Sequence, residues 1–193
     1  MEGYRLFSID PGTSSLGLSV LEIPIYTNQR CAKAHEVMWL DSMTLRCDPF
    51  IKEFTHMAQT HGDRFAKLTG IEHYLLTYME YWQPHGVASE SPYMGRFPQA
   101  YAALTECIYA IRKAVIRYNS LLPLNLIDPA TVKQSIGVSG KSGDKDKMRS
   151  AIKFYSDCFI KSVGVDLERA DEHAVDALAV GIAYASSHGL LCL

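Results

Sequence analysis

The sequence predicts one α/β domain, on three observations. Its 193 residues, 48% hydrophobic and 21% charged, match a single globular domain with a core of ordinary size. Its first part carries apolar, strand-like runs joined by turns, which suggests an antiparallel meander. Its remainder alternates helical periodicities with short apolar strands, one of which ends in an acid.

Taken in order, Tyr4 to Ile9 and Leu16 to Ile25 read as two strands joined by a Pro-Gly turn, with Val37 to Leu45 as a third. Pro24 to Lys33 is polar and irregular, hence a loop. From Gln59 to Trp82, Phe65, Leu68, Ile71, Leu75, Leu76 and Met79 recur at three- and four-residue steps, which predicts an amphipathic helix stopped by Pro84 and Gly86. Val87-Ala88-Ser89-Glu90 is a short buried strand. Gln99 to Tyr118 predicts a helix whose wide apolar stripe is either deeply buried or at a subunit interface. Pro123 to Ile127 reads as a strand, Asp128-Pro129 as a turn, Val132 to Ile136 as a short helix, and Ala170 to Ser187 as the last helix.

Charge and cysteine usage exclude some classes. The net charge of -2 gives no global attraction to nucleic acid, so such a partner needs a local basic patch or metal ions. One stretch qualifies: Lys133 to Lys161 holds Lys133, Lys141, Lys145, Lys147, Arg149, Lys153 and Lys161 against Asp144, Asp146 and Asp157. The five cysteines include no C-x-x-C pair, and they read as reduced intracellular thiols rather than a disulfide framework or zinc site. The run Ala177 to Ala185 is too short to cross a bilayer and no signal sequence opens the chain, so a cytosolic compartment is expected.

The chemistry centres on Ser8-Ile9-Asp10-Pro11-Gly12-Thr13, where a strand ends in an acid and turns through Pro-Gly. Such a carboxylate serves a divalent cation in a nuclease, or, with Gly12 to Ser14 wrapping phosphates, an ATP-dependent kinase of the sugar-kinase and actin-like group; it is also compatible with a plain turn. Glu90 repeats the arrangement, a strand followed by Ser91-Pro92. On the last helix His173 and Asp176 lie three apart and share a face. Asp171 and Glu172 are well explained as complements to the helix dipole. Carboxylates brought together from three elements stay ionised only around a cation, which favours a Mg²⁺ or Mn²⁺ pair. No second Asp-x-Gly segment supports the kinase.

With Ile9-Asp10-Pro11-Gly12, Glu90 followed by Tyr93, Leu122-Pro123 leading to Val132-Lys133-Gln134 and a glycine-containing lysine loop, and His173-x-x-Asp176-Ala177-Leu178-Ala179, the chain resembles the RuvC-type Holliday junction resolvases. It resembles a divergent form of the sort that phages also encode, and the likeness spans most of the chain. The resemblance implies an RNase H-like fold, a five-stranded mixed sheet flanked by helices on both faces, over residues 1–193 as one domain. It implies a Mg²⁺-dependent endonuclease of DNA recombination and repair, with two ions that Mn²⁺ can replace. Its act would be paired nicking of four-way junctions by a homodimer in bacterial or phage-infected cytoplasm. A nuclease of broader branch and flap specificity is the alternative within the class.

The same resemblance makes Asp10, Glu90, His173 and Asp176 the metal-binding catalytic residues, with Asp171 as an alternative ligand to His173 and Asp128 as a bystander. It puts Lys133 near the scissile phosphate and Lys145, Lys141 or Lys147 at a second phosphate contact. Tyr93 stands where the family stacks an aromatic on bases at the crossover, and Arg96 nearby would touch phosphate. The helix from Gln99 to Tyr118 falls in the family's dimer-forming region.

Overall fold

The structure is a computed structural model that describes residues 3–28, 30–95, 97–138 and 145–192. The predicted meander forms from β1 (Gly3–Asp10), β2 (Ser15–Pro24) and β4 (Met38–Arg46), paired antiparallel in that spatial order. On the other side of β1 the sheet becomes parallel: β5 (Gly86–Glu90) pairs with β1, and β6 (Leu124–Ile127) with β5. The helices are α1 (Pro49–Glu53), α2 (Thr55–His61), α3 (Asp63–Trp82), α4 (Pro98–Tyr118), α5 (Pro129–Ser135), α6 (Lys145–Cys158) and α7 (Glu172–Ser187).

Strand alternation divides the core in two. Phe7, Ile9, Leu16, Leu18, Val20 and Val87 face one side, where they pack with Ile71, Leu75 and Met79 of α3 and Cys107, Ile111 and Val115 of α4. Leu6, Leu21, Ile23, Trp39 and Ala88 face the other and meet Leu178, Ala179 and Ile182 of α7. Helices therefore flank the sheet on both faces, as expected. By the same period of two, Asp10 follows Leu6 and Ser8, and Glu90 follows Ala88, onto the α7 face.

Three expectations are corrected. The sheet has six strands, not five, because β7 (Ile160–Lys161) pairs parallel with β4; two residues are too few to carry a legible period. The long helix from Gln59 breaks at Gly62, whose φ of 92° no helix accommodates, so α2 and α3 are separate. The last helix begins after Asp171 rather than at Ala170, since the Asp171 carboxylate accepts from the Ala174 amide as its N-cap.

The cysteine reading is corrected as well. The loop from Pro24 to Lys33 contains β3 (Ala32–Lys33), which pairs parallel with β8 (Leu191–Cys192), and this brings Cys31 and Cys192 into a disulfide with Cα atoms 5.5 Å apart. Their separation of 161 residues hid the pairing from any local spacing rule. Cys47, Cys107 and Cys158 are free thiols. Among the described residues no helix is long and apolar enough to cross a membrane.

Candidate active site

The register places the two strand-end acids side by side. β1 and β5 run parallel with Ile9 opposite Ser89, so Asp10 and Glu90, one residue further on, leave the sheet at the same carboxyl edge. Neighbouring strands lie ~4.8 Å apart, which keeps their carboxylates within strong mutual influence. Ligands in parallel α/β sheets bind beyond this edge. Asp128, just past β6, stands at the same edge, but its carboxylate accepts from the Ala130 amide at 2.8 Å and caps α5, the bystander role expected.

α7 packs on β1 and β2 beside this edge. Its first turn sits directly on β2 at Gly17: a Cβ there would fall 1.9 Å from the His173 carbonyl oxygen and 3.1 Å from the Asp10 Cβ. Glycine is required because backbone meets backbone without room for a methyl group. Gly17→Ala should therefore shift the start of α7 and destabilise the fold by about 1–3 kcal/mol, a loss that thermal melting reads as several degrees. An unchanged melting temperature would contradict this packing.

The approach brings His173 onto Asp10, with Nδ1 donating to Asp10 Oδ2 at 2.9 Å. That leaves Nε2 as the ring nitrogen free to ligate. The hydrogen bond to Asp10 raises the His173 pKa against the opposing effect of burial. Burial in turn raises Asp10 above the usual carboxylate range, more than the histidine lowers it. Burial pushes Glu90 up to about 7, helped by the charges of Asp10 and Asp176, and Lys133 pulls the other way. Asp176 rises to about 6 from burial and from Asp10, again opposed by His173 and Lys133. These cross-influences tie Asp10, Glu90, His173, Asp176 and Lys133, from five separate elements or helix turns, into one electrostatic unit.

Three acids that resist ionisation together form a site short of positive charge. The donor set, carboxylate oxygens with one imidazole, suits a hard divalent cation. Among the described residues no group of three His, Cys, Asp or Glu side chains already stands in a metal-holding arrangement. Asp171 is engaged elsewhere: Oδ1 accepts from the Thr44 hydroxyl and the Ala174 amide, and Oδ2 from Arg46 at 3.1 Å. Burial raises its pKa, but these contacts outweigh it and the net shift is downward. Its carboxylate is therefore taken up by capping and by Arg46.

The remaining expected residues divide. Lys133, in the last turn of α5, reaches the acids by charge, as Glu90 and Asp176 both register. Tyr93 is 68% exposed on the loop after Glu90, with Met94 and Phe97 also exposed beside it. Lys147 is exposed on α6. Arg96 and Lys141 lie outside the described residues, as does the side chain of Lys145. Arg46 escaped the sequence reading because nothing near it in the chain marks it; its role depends on two segments far from it in sequence.

No family model matches the chain, and no curated protein does. Among solved structures, it is similar to Thermus thermophilus RuvC in complex with Holliday junction substrate, at 17% identity and a TM-score of 0.66, over 96% of this chain and 97% of that one. A second Thermus thermophilus RuvC structure matches at 18% identity and a TM-score of 0.67, with the same coverage. The yeast mitochondrial Holliday junction resolvase Ydc2 matches at 12% identity and a TM-score of 0.60, over 98% of this chain and 81% of that one. The chain has the fold of the RuvC-type Holliday junction resolvases.

Proposed function

We propose that this protein is a divalent-metal-dependent endonuclease that resolves four-way DNA junctions by paired nicking, its 193 residues acting as one nuclease domain. The observation that supports the reading is that Asp10 and Glu90 end neighbouring parallel strands, and that the charge of Asp10 raises both Glu90 and Asp176 beyond the effect of burial. The full-length likeness in fold to a RuvC bound to Holliday junction substrate supports it. An ATP-dependent kinase has no such support.

In this reading Asp10, Glu90 and Asp176 hold the cations, with His173 ligating through Nε2. The chemistry supplied by a bound Mg²⁺ or Mn²⁺ pair is activation of water and stabilisation of the leaving oxygen of a phosphodiester. Lys133 faces charge that develops on the phosphate. Lys147, with Lys145 and Lys141 beside it in sequence, contacts flanking phosphates, and Arg96 another. Tyr93, exposed beside Glu90, stacks on a base opened at the crossover, a contact that serves any base because each has a π face. Cleavage would leave 5′-phosphate and 3′-hydroxyl ends, and the compartment would be bacterial or phage-infected cytoplasm.

Two cuts on opposed strands require two sites related by a two-fold axis, hence a homodimer. The outer faces of α3 and α4 support one. They enclose a groove of about 780 Å³ lined by Phe65, Leu68 and Tyr109. Around it Arg64 pairs with Glu106 and Lys113 with Glu72, a balance of signs that a second copy of the same surface can match.

The test compares wild type and Tyr93→Ala on a four-way junction, a flap and a linear duplex, with and without Mg²⁺. Wild type should cut the junction in both strands within one encounter, and only with metal. Tyr93→Ala should cut the junction about tenfold more slowly, consistent with the loss of ~1–3 kcal/mol of base stacking. Equal cutting of the flap and the junction would favour the broader specificity, and single uncoupled nicks would remove the dimer. Cleavage of none of the three would remove the nuclease reading.

A further inference from the structure

Arg46, the last residue of β4, joins two chain segments that belong to the site. Its Nη1 donates to Ser15 Oγ at 2.9 Å and its Nη2 to Asp171 Oδ2 at 3.1 Å. Ser15 opens β2 directly after the turn that follows Asp10. Asp171 is the N-cap of α7, two residues before His173. One guanidinium thus spans the two backbones whose side chains meet in the Asp10 and His173 hydrogen bond. On the Asp171 side the grip is multiple, since Thr44, two residues before Arg46 on β4, also donates to the same carboxylate.

The first turn of a helix is where fraying begins, because its amide groups lack intrahelical partners. His173 and Asp176 stand in the first two turns of α7. Burial holds the inner face of α7 from Ala174 onward, but of the residues on the site side Glu172 is exposed and His173 and Asp176 are only partly buried. A catalytic group must hold its place to ~0.5 Å. The hydrogen bonds from β4 add to the backbone packing at Gly17 by tying down the exposed side of the same turn.

We propose that Arg46 and Asp171 are positioning residues, a surface strap that fixes the start of α7 over the β1–β2 turn and so holds His173 and Asp176 in register with Asp10. The Arg46 side chain is 65% exposed, so the ion pair itself contributes little to global stability. Its effect is local, and activity should respond far more than folding. The strap rests on the nuclease reading above.

The test uses Arg46→Ala, Arg46→Lys, Asp171→Ala and Asp171→Asn in the full chain, with single-turnover junction cleavage at saturating Mg²⁺ and junction affinity measured without metal. Arg46→Ala and Asp171→Ala should each slow cleavage about 10- to 100-fold, the cost typical of residues that orient metal ligands, with affinity unchanged within about twofold. Asp171→Asn keeps an acceptor for Thr44 and Ala174 but sets an amide donor against Arg46, so it should be about as slow as Arg46→Ala, whereas Arg46→Lys should recover the rate in part. The Arg46→Ala/Asp171→Ala double variant should be no slower than the slower single, because both remove one strap. Wild-type rates in Arg46→Ala would overturn the strap, as would multiplying losses in the double variant. A loss confined to junction affinity would also overturn it, making Arg46 a DNA contact. Wild type that cuts no branched DNA would remove the nuclease reading and the strap together, whereas active wild type with fast variants removes the strap alone.

Discussion

Asp10→Asn is expected to lower four-way junction cleavage by at least about a thousandfold while junction affinity changes by no more than a few-fold. The substitution hardly alters shape, and the asparagine carbonyl can still accept from His173 Nδ1, the contact that Asp10 Oδ2 makes at 2.9 Å. What it removes is one negative charge from the carboxyl edge where Glu90 and Asp176 also stand. A cation held by that cluster would lose a ligand, while the exposed groups proposed to meet DNA, Tyr93 and Lys147, are untouched. Single-turnover cleavage together with a gel-shift titration checks the outcome. Equal loss of binding and cutting would count against Asp10 as a metal ligand, because a binding defect would then explain the cleavage defect.

The second large effect is on pH. In the metal-free protein Glu90 titrates at about 7 and Asp176 at about 6, each raised first by burial. A divalent cation must displace the protons these groups hold below those values. Between pH 7.5 and 5.5 the ionised fraction of such a pair falls by a combined factor of about 100, so the Mg²⁺ concentration that half-saturates cleavage should rise by a similar factor. His173, its pKa raised chiefly by the bond to Asp10, adds to the trend, since a protonated imidazole cannot ligate. A half-saturating concentration that stays flat across this range would mean that the acids do not bind the ion.

The same raised values have a stability consequence of definite sign. A carboxyl whose folded pKa lies above its unfolded one favours the folded state when protonated. That contribution is complete below the unfolded pKa, near 4.5 for Glu90, and is lost as pH rises through about 7. Glu90→Gln avoids the ionised state altogether and should raise the melting temperature of the metal-free protein at pH 8, by an amount equivalent to about 1–2 kcal/mol. A site that weakens its own fold is common where charges are gathered for a ligand.

Much of this arrangement was legible without coordinates, for identifiable reasons. Asp10 and Glu90 each end a short apolar run at a proline turn, and that local pattern survives into the fold because strand ends are set by the residues on either side. His173 and Asp176 were legible as a pair because helical spacing alone puts them on one face. Asp171 was ambiguous for the same reason: a carboxylate at a helix start is equally a cap or a ligand, and only its partners Thr44, Ala174 and Arg46 decide. The two-residue strands β7 and β8 and the Cys31 and Cys192 bridge were not legible at all, since each exists only through pairing with a distant segment.

By itself the sequence determined the strands β1, β2, β4, β5 and β6 and the placing of Asp10 and Glu90 at strand ends, because these depend on neighbours within a few residues. The tertiary structure alone decided that α7 descends on Gly17, that His173 rather than Asp171 reaches Asp10, and that Arg46 bridges Ser15 to Asp171. Those are contacts between segments more than thirty to one hundred and sixty residues apart. Packing across such separations depends on where backbones can approach, which no local pattern of residues encodes.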